Sequence, residues 1–167
     1  IRGVLEHRLR CVPNGVDPAR FPATKWTQGP PWRLLFVGRL TRQKGVDLLI
    51  RALQGWSDGT LHVVGEGEER AALEALAESS GVDIVFRGWS SNIAREYAES
   101  HLVIIPSRWE GFGLVAVEAM LSGRPVLGTG VGGLKTVLGD VGIVVPPGSS
   151  EALGAAIRES LGNMADL

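Results

Sequence analysis

Six short apolar runs recur along the chain, and a helical pattern follows each one. The runs are Arg33 to Val37, Leu61 to Val64, Ile84 to Phe86, Leu102 to Ile105, Pro125 to Leu127 and Ile143 to Val145. Most lack a polar residue at every second position, so both faces of these strands are expected to be buried. The helical patterns cover roughly Gly45 to Trp56, Glu68 to Ser79, Asn92 to Glu99, Gly113 to Leu121, Leu134 to Leu138 and Ser150 to Gly162. In the first, Val46, Leu49, Ala52, Leu53 and Trp56 return at helical spacing, as do Ala72, Leu73, Leu76 and Ala77 in the second. Two successive buried strands with one helix between them must run parallel. The reading is a Rossmann-like, doubly wound α/β domain with a mostly parallel six-stranded sheet and helices on both faces. A length of 167 residues with 44% hydrophobic content is enough for one core of this kind.

Ligands of such sheets bind beyond the carboxyl ends of the strands, where the strand order reverses. The loops after the strands therefore carry the functional information. After the first strand comes Gly38-Arg39-Leu40-Thr41-Arg42-Gln43-Lys44-Gly45, opening onto a helix. A lysine at a helix start opposes the macrodipole unless an anion sits there, and Arg39 offers a planar fork suited to phosphate oxygens. The pair reads either as a diphosphate clamp or as two solvated loop charges. After the fourth strand, the stretch from Pro106 to Met120 places Glu118 in an otherwise apolar helix, eight residues after Glu110. A carboxylate among Val115, Val117, Ala119 and Met120 loses hydration unless polar partners replace the water. Its partner is expected to be a ligand hydroxyl pair; the alternative places Glu118 on an exposed helix face.

Gly128-Thr129-Gly130-Val131-Gly132-Gly133 follows the fifth strand, and glycines there allow backbone N–H groups to approach phosphate or make a tight turn. Gly65-Glu66-Gly67 and Arg87-Gly88 close the second and third strands and read as mainly structural, with backbone contacts to a flat base open to them.

Other chemistries find little support. With 17 basic and 18 acidic residues, no chain-wide field attracts nucleic acid or an anionic bilayer. The apolar runs are far too short to span a membrane. The one cysteine, Cys11, has no intrachain partner, and His7, His62 and His101 are not at metal-ligand spacing. His62 falls within a strand, as a packed or hydrogen-bonded core residue. Neither a Walker lysine motif nor Gly-x-Gly-x-x-Gly follows the first strand, and there is no nucleophile elbow.

Taken in order, the motifs resemble the donor-binding, C-terminal half of the group 1 (family 4) retaining glycosyltransferases of the GT-B fold. The resemblance runs through Val12-Pro13-Asn14-Gly15-Val16-Asp17 with Phe21, Gly38-Arg39 to Lys44-Gly45, Gly65-Glu66-Gly67, Phe86-Arg87-Gly88 and Pro106-Ser107. It continues through Glu110-Gly111-Phe112-Gly113-Leu114 and Glu118-Ala119, two glutamates with seven residues between them. It departs from the family at Glu68, commonly proline, and at Lys135-Thr136, commonly Pro-Glu.

The resemblance implies that residues 1–31 form an interdomain entry segment and 32–167 the nucleotide-sugar-binding domain. It implies that Arg39 and Lys44 bind the donor diphosphate and that Gly38 lets it approach. Glu110 would face the donor sugar, the N–H groups of Phe112, Gly113 and Leu114 would meet sugar or phosphate oxygens, and Glu118 would hold the ribose hydroxyls. Arg87, Gly132 and Gly133 complete the implied donor contacts. The donor would be a UDP-, GDP- or ADP-sugar, used without a metal or permanent cofactor. The implied partner is an N-terminal acceptor-binding domain that this stretch lacks, so the chain is expected to be part of a longer protein and inactive in transfer by itself. The parent is expected in the cytoplasm, peripheral to a membrane if its acceptor is lipid-linked. Alternatives are a nucleotide-sugar epimerase-like or glycogen-synthase-like relative, or a nucleotide-binding module without catalysis.

Overall fold

The computed structural model describes residues 10, 12, 14–25 and 29–165; His7, Cys11 and Pro13 lie outside them. Six strands alternate with six helices: β1 (Trp32–Val37), α1 (Val46–Ala52), β2 (Gly59–Val64), α2 (Arg70–Ser80), β3 (Ile84–Gly88), α3 (Ile93–Ala98), β4 (Leu102–Ile105), α4 (Leu114–Leu121), β5 (Val126–Thr129), α5 (Gly132–Leu138), β6 (Ile143–Val145) and α6 (Ser150–Ala165). The strands form one sheet in the order β3-β2-β1-β4-β5-β6, with every neighbouring pair parallel. This is the expected doubly wound architecture, and its order reverses between β1 and β4.

Each face of the sheet carries its own apolar layer. Leu34, Phe36, Leu61 and Val63 point to one side, where α1, α2 and α6 cover them with Leu49, Leu53, Leu73, Ile157 and Leu161. Leu35, Val64, Val103 and Ile105 point to the other, beneath Tyr97 of α3, Ala116 and Ala119 of α4, and Leu134 and Leu138 of α5. At roughly 25 cal/mol per Å² of apolar surface, these two layers are the main favourable term in folding.

Element ends differ from the sequence expectation for reasons the structure shows. Helix α1 stops at Ala52, short of Trp56, because the chain tightens into a turn in which Trp56 N–H donates to Leu53 O at 2.8 Å. Trp56 still reaches the core from that turn. Helix α2 starts at Arg70 instead of Glu68, since Glu69 N–H is held by Leu40 O at 3.0 Å. Strand β5 begins after Pro125, which has no N–H to place in a ladder.

The segment before β1 is fastened to the second face. Asp17 caps the 3₁₀ turn Pro18–Arg20 by accepting from Ala19 N–H at 3.0 Å, and Phe21 then buries its ring. The buried Arg124 donates to Thr24 O at 2.6 Å, to Thr24 Oγ1 and to Ser100 O at 3.3 Å.

The carboxyl ends of β1 and β2 close tightly. A Cβ on Gly65, whose φ is +137°, would stand 1.8 Å from Gly38 O. Gly65→Ala is therefore expected to lower stability by about 2 kcal/mol or more, read as a fall in the urea midpoint. An unchanged midpoint would contradict the tight crossing of these two strand ends.

Candidate functional site

The loops that leave β1 and β4 are pressed together at the point where the strand order reverses. Gly45, in the left-handed region at φ +69°, ends the 3₁₀ turn Arg42–Lys44 and starts α1. A Cβ there would stand 2.2 Å from Pro106 O, so only a hydrogen fits. Arg108 makes the second tie, with Nη1 and Nη2 each donating to one oxygen of Asp47 at 2.7 Å. The same Nη1 also donates to Arg42 O at 2.9 Å, and Arg108 N–H donates to Gln43 O at 2.8 Å. Gln43 returns the contact by donating from Nε2 to Trp109 O at 3.0 Å.

This scaffold brings Lys44 and Glu110 into one ion pair, with Nζ and Oε2 2.5 Å apart and both side chains less than one-fifth exposed. Ser107 Oγ lies 3.4 Å from the same carboxylate oxygen, and Ser107 is itself held by Thr129 Oγ1, which donates to its carbonyl at 2.5 Å. Lys44 closes the 3₁₀ turn instead of opening α1, and the anion required beside it is Glu110. Its stem runs along Gly38, with Cδ 3.9 Å from where a Gly38 Cβ would be.

Glu118 lies one helix further on, half-buried on α4. The sequence reading expected a ligand hydroxyl pair as its polar partner; within the chain the partner is Tyr97 of α3, whose hydroxyl donates to Oε2 at 2.7 Å. Tyr97 is fully buried, and its ring meets Phe21 edge-on at 5.9 Å. Burial, reinforced by the adjacent Glu118 carboxylate, pushes the phenol pKa far upward, so Tyr97 stays a donor at any working pH.

Beside these groups opens a cleft of about 470 Å³, lined by Val37, Gly38, Arg39, Gly65, Trp89 and Ile93 among others. Arg39 is exposed at its edge, and its side chain makes no hydrogen bond or ion pair among the described residues. Trp89 is 77% exposed, an unusual position for a ring of that size. No side chain caps α4, and Gly113 leads into it at φ +93°, which leaves the first N–H groups of the helix without side-chain partners. Phe112 is half-buried and Leu114 exposed on either side.

Three of the expected donor residues also make contacts within the chain. Alternation along β3 turns Arg87 onto the sheet face under α3, where its Nε donates to His62 Nδ1 at 3.0 Å and lies 3.8 Å from Glu96. Burial, then the Arg33 and Arg87 charges, hold His62 down to about 4, so it accepts this bond as a neutral ring. Gly132 and Gly133 support the Glu110 loop from below. Added Cβ atoms would stand 2.1 Å from Glu110 O and 2.3 Å from Gly111 O, and Gly133 N–H donates to Glu110 O at 3.3 Å.

With this geometry in place, the relatives are informative. The family model for glycosyl transferases group 1 matches residues 31–163. The chain belongs to the group 1 glycosyltransferases. An uncharacterized glycosyltransferase of Methanocaldococcus jannaschii is 35% identical over 80% of this chain and 39% of its own length. Anabaena HepE, solved in complex with UDP-glucose, superposes with a TM-score of 0.84 at 26% identity, over 98% of this chain and 51% of HepE. The C-terminal domain of LpcC, a group 1 protein of Francisella tularensis, superposes with a TM-score of 0.76 at 28% identity, over 90% of this chain and 92% of that domain. The chain spans less than half the length of the first curated relatives it matches and corresponds to the C-terminal domain of group 1 glycosyltransferases, one half of a GT-B fold. No helix among the described residues is long and apolar enough to cross a membrane.

Sequence reasoning missed several residues of this group 1 domain: Arg108, Asp47, Gln43, Ser107, Thr129 and Tyr97. Each acts through a partner about twenty or more positions away, or through a backbone carbonyl, and motif spacing carries no signal for such contacts. The Arg108 hydrogen bonds, followed by its charge, hold the Asp47 carboxyl below its ordinary value. A depressed folded pKa means stability that is present above the unfolded value and lost as pH falls through the folded one. Asp47→Asn is expected to cost about 1 kcal/mol at neutral pH, after allowance for partial exposure, and to flatten the acid limb of the stability profile below pH 4. A variant with the wild-type acid limb would show that the Arg108–Asp47 tie adds nothing.

Proposed function

We propose that this domain holds the nucleotide-sugar donor of a retaining group 1 glycosyltransferase. The observation that carries the reading is the Lys44–Glu110 pair, with the unpaired Arg39 beside it, at the carboxyl ends of β1 and β4. A diphosphate entering there takes Lys44 from Glu110. Its charge then lies between Lys44 and Arg39, and the leading N–H groups of α4 meet further phosphate or sugar oxygens. The freed Glu110 carboxylate faces the donor sugar.

The chemistry follows from these positions. Departure of a nucleoside diphosphate leaves negative charge on its terminal phosphate and positive charge on the anomeric carbon. Fixed cations at the first and a carboxylate near the second lower the barrier without reorganising at the moment of reaction. Glu118 takes the ribose hydroxyls, and the base lies in the cleft between Gly38, Gly65 and Trp89. UDP-glucose, the ligand of the HepE complex, is the first donor to test on this chain. The acceptor is held by a second domain, and the described domain alone binds donor while transferring little sugar.

Calorimetric titration with UDP, GDP and ADP is expected to show one preferred diphosphate, and Lys44→Ala to weaken it at least tenfold, about 1.4 kcal/mol. Unaltered binding by the variant would remove the diphosphate from this site. Efficient transfer to a defined acceptor by this domain alone would contradict the division of labour.

A further inference from the structure

We propose that Tyr97 is the positioning residue for ribose recognition, fixing the Glu118 carboxylate so that it distinguishes a ribose from a 2′-deoxyribose; this rests on the reading of Glu118 as the ribose ligand. Ile93 and Tyr97 stand four residues apart on α3, and so on one face of that helix. Ile93 lines the cleft, and Tyr97 lies one turn deeper, with its hydroxyl 2.7 Å from Glu118 Oε2. The phenol therefore reaches the glutamate from behind, on the side away from solvent.

The arrangement has a chemical consequence. A free glutamate on a helix samples several rotamers, and each would offer its oxygens to a different point. One oxygen is held by a buried O–H donor that is fully enclosed and stacked edge-on against Phe21. The carboxylate plane is then set before a ligand arrives, and the remaining lone pairs point to one place. Two adjacent hydroxyls, both donors, match that presentation, and a sugar lacking one of them leaves a carboxylate lone pair unfilled. Tyr97 touches the glutamate and not the ligand, so it acts by positioning.

The test uses whichever of UDP, GDP and ADP this chain binds tightest, together with its 2′-deoxy form. The wild type is expected to prefer the ribonucleotide at least tenfold. Tyr97→Phe keeps the ring and its contact with Phe21; it is expected to lose fivefold or more in affinity for the ribonucleotide and less than twofold for the deoxynucleotide. Equal losses for both, or an unchanged preference in a folded variant, would overturn the positioning role while leaving Glu118 as a ribose ligand. A wild type without preference, or a Glu118→Gln chain that keeps it, would overturn the ribose assignment and this proposal with it. Tyr97 is the chain's one tyrosine, so labelling with 3-fluorotyrosine gives a single ¹⁹F resonance in a chain that keeps its hydroxyl. That signal is expected to shift with the ribonucleotide in the wild type and to stay fixed in Glu118→Gln; a wild-type signal that ignores the ribonucleotide would contradict the proposal.

Discussion

The close approach of Gly45 to the Pro106 carbonyl is the constraint on which the site depends. Strands β1 and β4 are neighbours because the sheet order reverses there, yet neighbouring strands alone do not bring their following loops together. A backbone without a Cβ at Gly45 lets the two loops touch, and the Arg108–Asp47 fork keeps them in register. Lys44 and Glu110 then meet as a consequence of the scaffold, although 66 positions separate them. The chain thus spends its rigid contacts on the loop backbones and leaves the two charged side chains to each other.

Pairing Lys44 with Glu110 solves a physical problem. An unpaired, largely buried ammonium loses hydration with nothing in return, and so does a carboxylate. Each is the other's partner in the structure, and in the proposed donor complex a diphosphate replaces one anion with another at Lys44. The proposed exchange keeps Lys44 paired throughout and frees Glu110 only when a donor is bound. Arg39, exposed at the edge of the cleft, has no such need, because water solvates it.

The fold was largely legible in the sequence because its signals are local. Buried parallel strands read as apolar runs, helices as 3.6-residue repeats, and all six of each occur where the pattern placed them, with ends displaced by a few residues. Some of those displacements trace to local turns or to Pro125, and one to a contact between distant segments, Leu40 O holding Glu69 N–H before α2. At the site, Glu118 was recognisable as a carboxylate needing a partner, since its neighbours are apolar. The identity of that partner was not, because Tyr97 reads as an ordinary core aromatic until α3 and α4 are packed side by side. Arg87 read from its residues as mainly structural, and its bond to His62 is a contact within the sheet that spacing could not have named. Gly132 and Gly133 read either as a phosphate approach or as a tight turn, and neither reading named the room they make for the Glu110 carbonyl and its loop.

The most direct test of the central claim is residue-level mapping of donor binding, by titrating the ¹⁵N-labelled chain with UDP, GDP or ADP. The account places the largest amide shifts at Gly38, Arg39, Lys44, Glu110, Gly113 and Leu114, around the carboxyl ends of β1 and β4. Shifts confined to the amino ends of the strands, or to the α6 side of the sheet, would contradict it.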